Sequence, residues 1–112
     1  EWAEKNIQVD YYMCSYYNSA HRDQRAEHVS GMPEWFLEED REKMIRTIQN
    51  LSKPVIHYKI MAAGRNKPEE ALRTAAMALR KNDAVCIGIF PKDNPNMLKD
   101  NVKLLEKFLE NR

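Results

Sequence analysis

The sequence predicts an α/β fold of parallel strands, and within that class a partial (β/α) barrel. Three observations lead there. The runs Ile7–Tyr17, Val55–Met61 and Ala84–Phe90 are rich in β-branched, aromatic and other apolar residues and read as strands. Each is followed, directly or after a loop, by a charged stretch whose apolar residues recur at helical spacing. The unit so formed repeats at about 30 residues, the length of a βα crossover unit.

The elements follow in order. Residues 1–6, EWAEKN, read as the end of a helix. The aromatic run IQVDYYMCSYY is the first strand, and Asn18–Gly31 is a polar loop at its carboxyl end. Long loops in that position are where α/β enzymes hold substrate. Leu37–Leu51 is a helix with Met44, Ile45, Ile48 and Leu51 on one face. Glu38, Glu39 and Asp40 lie near its start, where the helix dipole favours negative charge. Pro54 stands at the entrance of the second strand, a place that tolerates proline. Pro68–Arg80 is a helix with proline at its first position and a face of Leu72, Ala75, Ala76 and Leu79. AVCIGIF, residues 84–90, has the continuous apolar character of a strand buried on both faces. Asn94-Pro95 starts the last helix, Pro95–Asn111, whose apolar face is Leu98, Val102, Leu105 and Leu109, with Asn101 close by.

A chain of 112 residues holds one domain at most, and three parallel strands do not close a barrel. The stretch 1–112 is therefore expected to be the carboxyl-terminal part of a larger barrel, or a homo-oligomer in which another copy completes it. Eighteen basic and seventeen acidic residues leave a net charge of +1, which makes no electrostatic case for nucleic acid or an anionic membrane surface. No apolar run reaches the length of a membrane span, and no signal peptide is visible. Cys14 and Cys86 sit in strand-like runs and read as buried thiols of a cytoplasmic protein.

No phosphate loop, GxGxxG, CxxC, HExxH or GxSxG pattern is present. His21, His28 and His57 are too scattered for a zinc site, and the first two read as solvent-exposed loop residues. In α/β folds ligands bind beyond the carboxyl ends of the strands, so attention falls on His57 to Arg65. Lys59 interrupts an apolar run there. Tyr58 and Lys59 face opposite sides unless the strand has already ended.

Three segments together resemble the last part of an aldo/keto reductase barrel. They are CSYYNSAHR (Cys14–Arg22), HYKIMAAG (His57–Gly64) and IGIFPKDNPNMLKDN (Ile87–Asn101), in the family's order and spacing. The resemblance covers nearly all of the chain. It implies an oxidoreductase using NADP(H) on a carbonyl or alcohol. Tyr58 then offers its ring to nicotinamide, with Asn18 beside it, and Lys92, Asp100 and Asn101 hold the adenosine-phosphate end. The family's catalytic residues fall in the first half of the barrel, so this stretch alone is expected to be inactive. Cys14 replaces an amide-bearing glutamine, and Asp93 adds a negative charge near the phosphate position. These changes predict weak NADP(H) binding in a completed barrel and none in this stretch alone. Two other readings stand beside this one. The first is a lysine-dependent or phosphate-binding barrel enzyme centred on Lys59, His57 and Arg65. The second is a non-catalytic module that works by self-association.

Overall fold

The middle strand carries the sheet. Val55–Tyr58 (β2) pairs in parallel with Tyr12–Ser15 (β1) on one side and with Ala84–Val85 (β3) on the other. This is a computed structural model, and residues 1–21 and 34–112 are described; His28 and most of the long loop lie outside them. The helices are Trp2–Asn6 (α1), Glu38–Gln49 (α2), Pro68–Ala78 (α3) and Met97–Glu110 (α4). Each strand is followed by a helix, and the three-stranded sheet is open. The architecture is the partial (β/α) barrel that the sequence predicts.

Pairing, more than propensity, limits the strands. The ladder between β1 and β2 begins where the Tyr12 amide donates to the Pro54 carbonyl and ends where the Tyr16 amide donates to that of Tyr58. Ile7–Tyr11 precedes this ladder and is not strand, although its residue types favour one. The third strand is shorter still. The Cys86 amide adds one bond to the His57 carbonyl at 2.8 Å, after which residues 87–90 leave the sheet.

The register sorts the side chains by face. Tyr12 and Val55 align, as do Cys14, His57 and Val85, and these point toward the helices. They join Ile48 and Leu51 from the α2 side and Leu72 and Ala75 of α3 in one core. Met13, Ile56 and Ala84 align on the opposite face, with Ser15 beside Tyr58. That face is uncovered among the described residues: Met13 is 55% exposed, and Ala84 and Cys86 are exposed. The expectations of a doubly buried third strand and of a buried Cys86 thiol are thus corrected. A strand of this kind has two covered faces only when the sheet closes or is covered by a second layer.

The apolar face of α4 also differs from the expected one. Leu98 and Val102 are exposed, while Asn101 is buried and Leu104, Leu105 and Phe108 border the core. The packed stripe is 101, 104, 105 and 108, at i, i+3, i+4 and i+7. It lies against α3, whose Ala71, Leu72, Ala75 and Ala76 are buried and allow close approach. Arg112 donates to the carbonyls of Ala76 and Leu79 and caps the end of α3.

Asp83 ties the amino ends of β2 and β3 together. Its carboxylate is fully buried and accepts from the Arg80 guanidinium at 2.9 and 3.0 Å, from the Val55 amide and from the Arg80 amide. Arg80 also donates to the carbonyls of Leu51 and Lys53. The remaining donor facing the acid is His57 Nε2, 3.2 Å from Asp83 Oδ2. A carboxylate only accepts, so Nε2 carries the proton and Nδ1 accepts from the Tyr16 hydroxyl at 2.9 Å. Burial pushes the Tyr16 hydroxyl above, and His57 below, the ordinary range for each group. For Asp83 burial opposes ionisation, but the Arg80 guanidinium and the amides outweigh it and hold the carboxyl well below its usual value.

Candidate functional site

A cavity of about 690 Å³ opens beyond the carboxyl ends of β2 and β3, where a parallel sheet places its ligands. Its apolar wall comes from Phe36, Met61, Ile87, Phe90 and Met97. Its polar groups are Tyr58, Lys59, Asn66 and Asn101, with Glu34 and Asp93 as the carboxylates.

The backbone explains how Tyr58 and Lys59 both reach it. β2 ends at Tyr58, and Lys59 takes a left-handed conformation with φ 58°. Strand alternation therefore stops, and consecutive side chains line one cavity. Ala62 and Ala63 are also left-handed, at φ 49° and 53°, and Gly64 follows at φ 84°. Such conformations strain a residue that has a Cβ, and they concentrate where a site demands them. Asn66 clamps the loop: its amide donates to the Tyr17 hydroxyl at 2.7 Å and to the Ile60 carbonyl at 3.2 Å.

Asn101 is 5% exposed and projects from α4 onto the cavity wall. No hydrogen bond is made by its amide or by the Tyr58 hydroxyl among the described residues, and both groups border the cavity. These are polar groups at the cavity that a ligand could meet. Gly64 and Gly88 border the same space, and a Cβ at either meets nothing within 4 Å.

Of the residues singled out from sequence, Tyr58, Lys59 and Asn101 meet at this cavity. The others, His57, Arg65, Lys92, Asp100 and Asn18, lie elsewhere. Lys59 is exposed and donates to the Ser19 hydroxyl at 3.0 Å. His57 is wholly buried on the helix side of the sheet, between Tyr16 and Asp83. Arg65 lies over the Phe36 ring at 4.4 Å. Lys92 is exposed on the loop before α4 and does not line the cavity. Asp100 accepts from the Asn94 amide at 3.0 Å in the first turn of α4, which starts at Met97 and not at Pro95.

Asn18 borders a second groove of about 620 Å³ between the end of β1 and α2. Its amide N–H donates to Asp40. His21 lines this groove too, and there the expectation of a solvent-exposed loop histidine is corrected. It is 3% exposed, packed on the Trp35 ring at 4.7 Å, with Nε2 3.4 Å from Asp40. Its ring packs against an aromatic neighbour, yet both ring nitrogens are buried without a hydrogen-bond partner among the described residues, and neither feature was legible from the local polarity of the loop.

Asn66 and Phe36 escaped the sequence reading. The only local sign of the clamp is an asparagine just ahead of the Pro68 helix start. Among the described residues no group of three or more His, Cys, Asp or Glu is placed to hold a metal ion. No helix among them is long and apolar enough to cross a membrane. Comparison with protein-family models, with curated proteins and with solved structures finds no match for this chain.

Proposed function

We propose that the chain forms the cofactor-binding side of an aldo/keto reductase-like barrel, an oxidoreductase acting on a carbonyl or alcohol with a nicotinamide cofactor. One observation carries this reading: Tyr58 and Asn101, from different segments of the resemblance, border one cavity at the strand ends, and both lack a hydrogen-bond partner there. The cavity suits such a group on two counts. Asn101 presents an amide whose donor and acceptor are both unused among the described residues, and Gly64 and Gly88 leave room against the backbone. When bound, nicotinamide gives hydride to, or takes it from, the substrate carbon. The chain's own part is to hold the cofactor: Tyr58 offers its ring to the nicotinamide, Asn101 its amide to the adenosine-phosphate end, and Phe36 and Phe90 add apolar wall. Lys59 is a rim cation beside Ser19.

The barrel is completed by further βα units or by a second copy of the chain. The open sheet and its uncovered face support this.

This departs from the expectation that the stretch alone binds none: the cavity is lined by this chain's described residues, so the chain itself is the test object. Titration with reduced nicotinamide dinucleotides, followed by their fluorescence, is expected to show saturable binding. Tyr58→Ala weakens it about tenfold, in line with about 1–3 kcal/mol for stacking of a base on an aromatic ring. Binding that survives Tyr58→Ala and is lost in Lys59→Ala moves the site to the lysine and sinks this reading. So does the absence of any binding.

A further inference from the structure

We infer that the cavity at the strand ends takes a small organic cation, a protonated amine carried on an aromatic body. The inference goes beyond the nicotinamide reading and stands without it, because it concerns only the charge and shape that the lining accepts.

Among the described residues three charged side chains border the cavity: Glu34, Asp93 and Lys59. Lys59 is already engaged, its ammonium donating to the Ser19 hydroxyl at 3.0 Å. Neither carboxylate has a hydrogen-bond partner among the described residues. Two unengaged carboxylates thus stand against one committed cation, and the wall favours a ligand that brings positive charge.

A hydrogen-bonded turn sets a ring near one of these acids. The Asp93 amide donates to the Phe90 carbonyl at 3.1 Å, and the Phe90 amide donates to Met97 Sδ at 3.3 Å. Phe90, Asp93 and Met97 all border the cavity. The face of an aromatic ring attracts a cation, and more strongly where water is scarce. Phe36 shows such a contact within the chain, with the Arg65 guanidinium 4.4 Å from its ring centre. Phe90 and Tyr58 carry rings at the cavity with no such cation over them among the described residues.

Asn101 is an independent sign. It is 5% exposed and borders the cavity, and its amide has no hydrogen-bond partner among the described residues. Its Oδ1 can accept from an ammonium, which has N–H donors to distribute and no acceptor of its own. Met61 and Ile87 give the wall an apolar surface for the body of the ligand. The volume of about 690 Å³ is in the range of small-molecule sites.

The test is an NMR titration of the chain, with no nucleotide present, using three probes of one shape. They are phenethylamine, the neutral phenethyl alcohol and the anionic hydrocinnamate. At low salt the amine is expected to bind about tenfold more tightly than the alcohol, the size of a cation–ring contact shielded from water. The anion is expected to bind most weakly. The gap shrinks at high salt, because charges near the surface are screened. Asp93→Asn and Glu34→Gln each narrow it, and neither removes a partner that holds the fold. Phe90→Ala weakens the amine and the alcohol together. An alcohol that binds as tightly as the amine overturns the inference, as does a gap unmoved by both acid substitutions. Binding of none of the three probes overturns it too. Each of these failures leaves the cofactor reading standing, and loss of the cofactor reading leaves the amine site standing.

Discussion

Asp83 is the residue on which the most partners converge. Its carboxylate serves two backbone amides, a guanidinium and an imidazole, with no exposure to solvent. Replacing it with alanine strands the Arg80 charge and the N–H donors of Val55, the Arg80 backbone and His57. Breaking a buried pair in this way costs about 3–5 kcal/mol. In a domain of ordinary stability that is a large fraction of the whole, so the urea midpoint of Asp83→Ala is expected to fall steeply. The pH dependence has a definite sign. His57 is held below its ordinary value of 6.5, chiefly by burial, so the unfolded chain binds its proton first. Stability from this group is complete above about pH 6.5 and declines as pH falls below it. Asp83 is held below its ordinary 3.8, so its contribution persists to lower pH and is lost only as pH drops under about 4. Thermal melting from pH 8 to pH 3 is expected to show the two declines in that order, and His57→Gln to remove the first. A flat profile between pH 7 and 5 contradicts the assignment of a neutral His57.

At the scale of the element, the loop between β2 and α3 stores strain in order to face its side chains into the cavity. Lys59, Ala62 and Ala63 all occupy left-handed conformations, and Asn66 holds the loop from behind. Ala63 is exposed, so glycine there relieves the strain without opening a hole. Ala63→Gly is expected to be neutral or to stabilise by up to about 1 kcal/mol. Asn66→Ala is expected to destabilise by about 1–3 kcal/mol, because the Ile60 carbonyl and the Tyr17 hydroxyl lose their donor. Chemical denaturation of the two variants side by side checks both. A destabilised Ala63→Gly means the loop is not strained in solution.

At the scale of the whole molecule, helices cover one face of the sheet, and among the described residues the other is open. Met13, Tyr11, Ile89 and Phe90 are among the exposed large apolar side chains. Such surface marks an interface when it is contiguous. Light scattering at tens of micromolar is expected to give a mass above the 13.2 kDa of one chain, and Met13→Lys to lower it. A well-folded monomer at that concentration rejects completion by a second copy.

What the residue order determined by itself is local. Alternation of apolar and charged stretches placed three strands and the three helices that follow them, because side-chain period and helix-end chemistry act within a few residues. Pro68, Glu69 and Glu70 start α3 where expected, and Tyr58, Lys59 and Asn101 meet at the strand ends. Tertiary structure decided how long each strand runs, since a strand lasts only as long as its partner: β3 keeps two residues of a seven-residue apolar run. It also decided which face of α4 packs. The Leu98–Val102 stripe is as apolar as its neighbour, but Leu104, Leu105 and Phe108 are the side chains that border the core with Leu72 and Ala75 of α3. His57 and Asp83 show the same division. Nothing local distinguishes a histidine at a cavity mouth from one sealed between a tyrosine and an aspartate, because burial is set by residues distant in the chain.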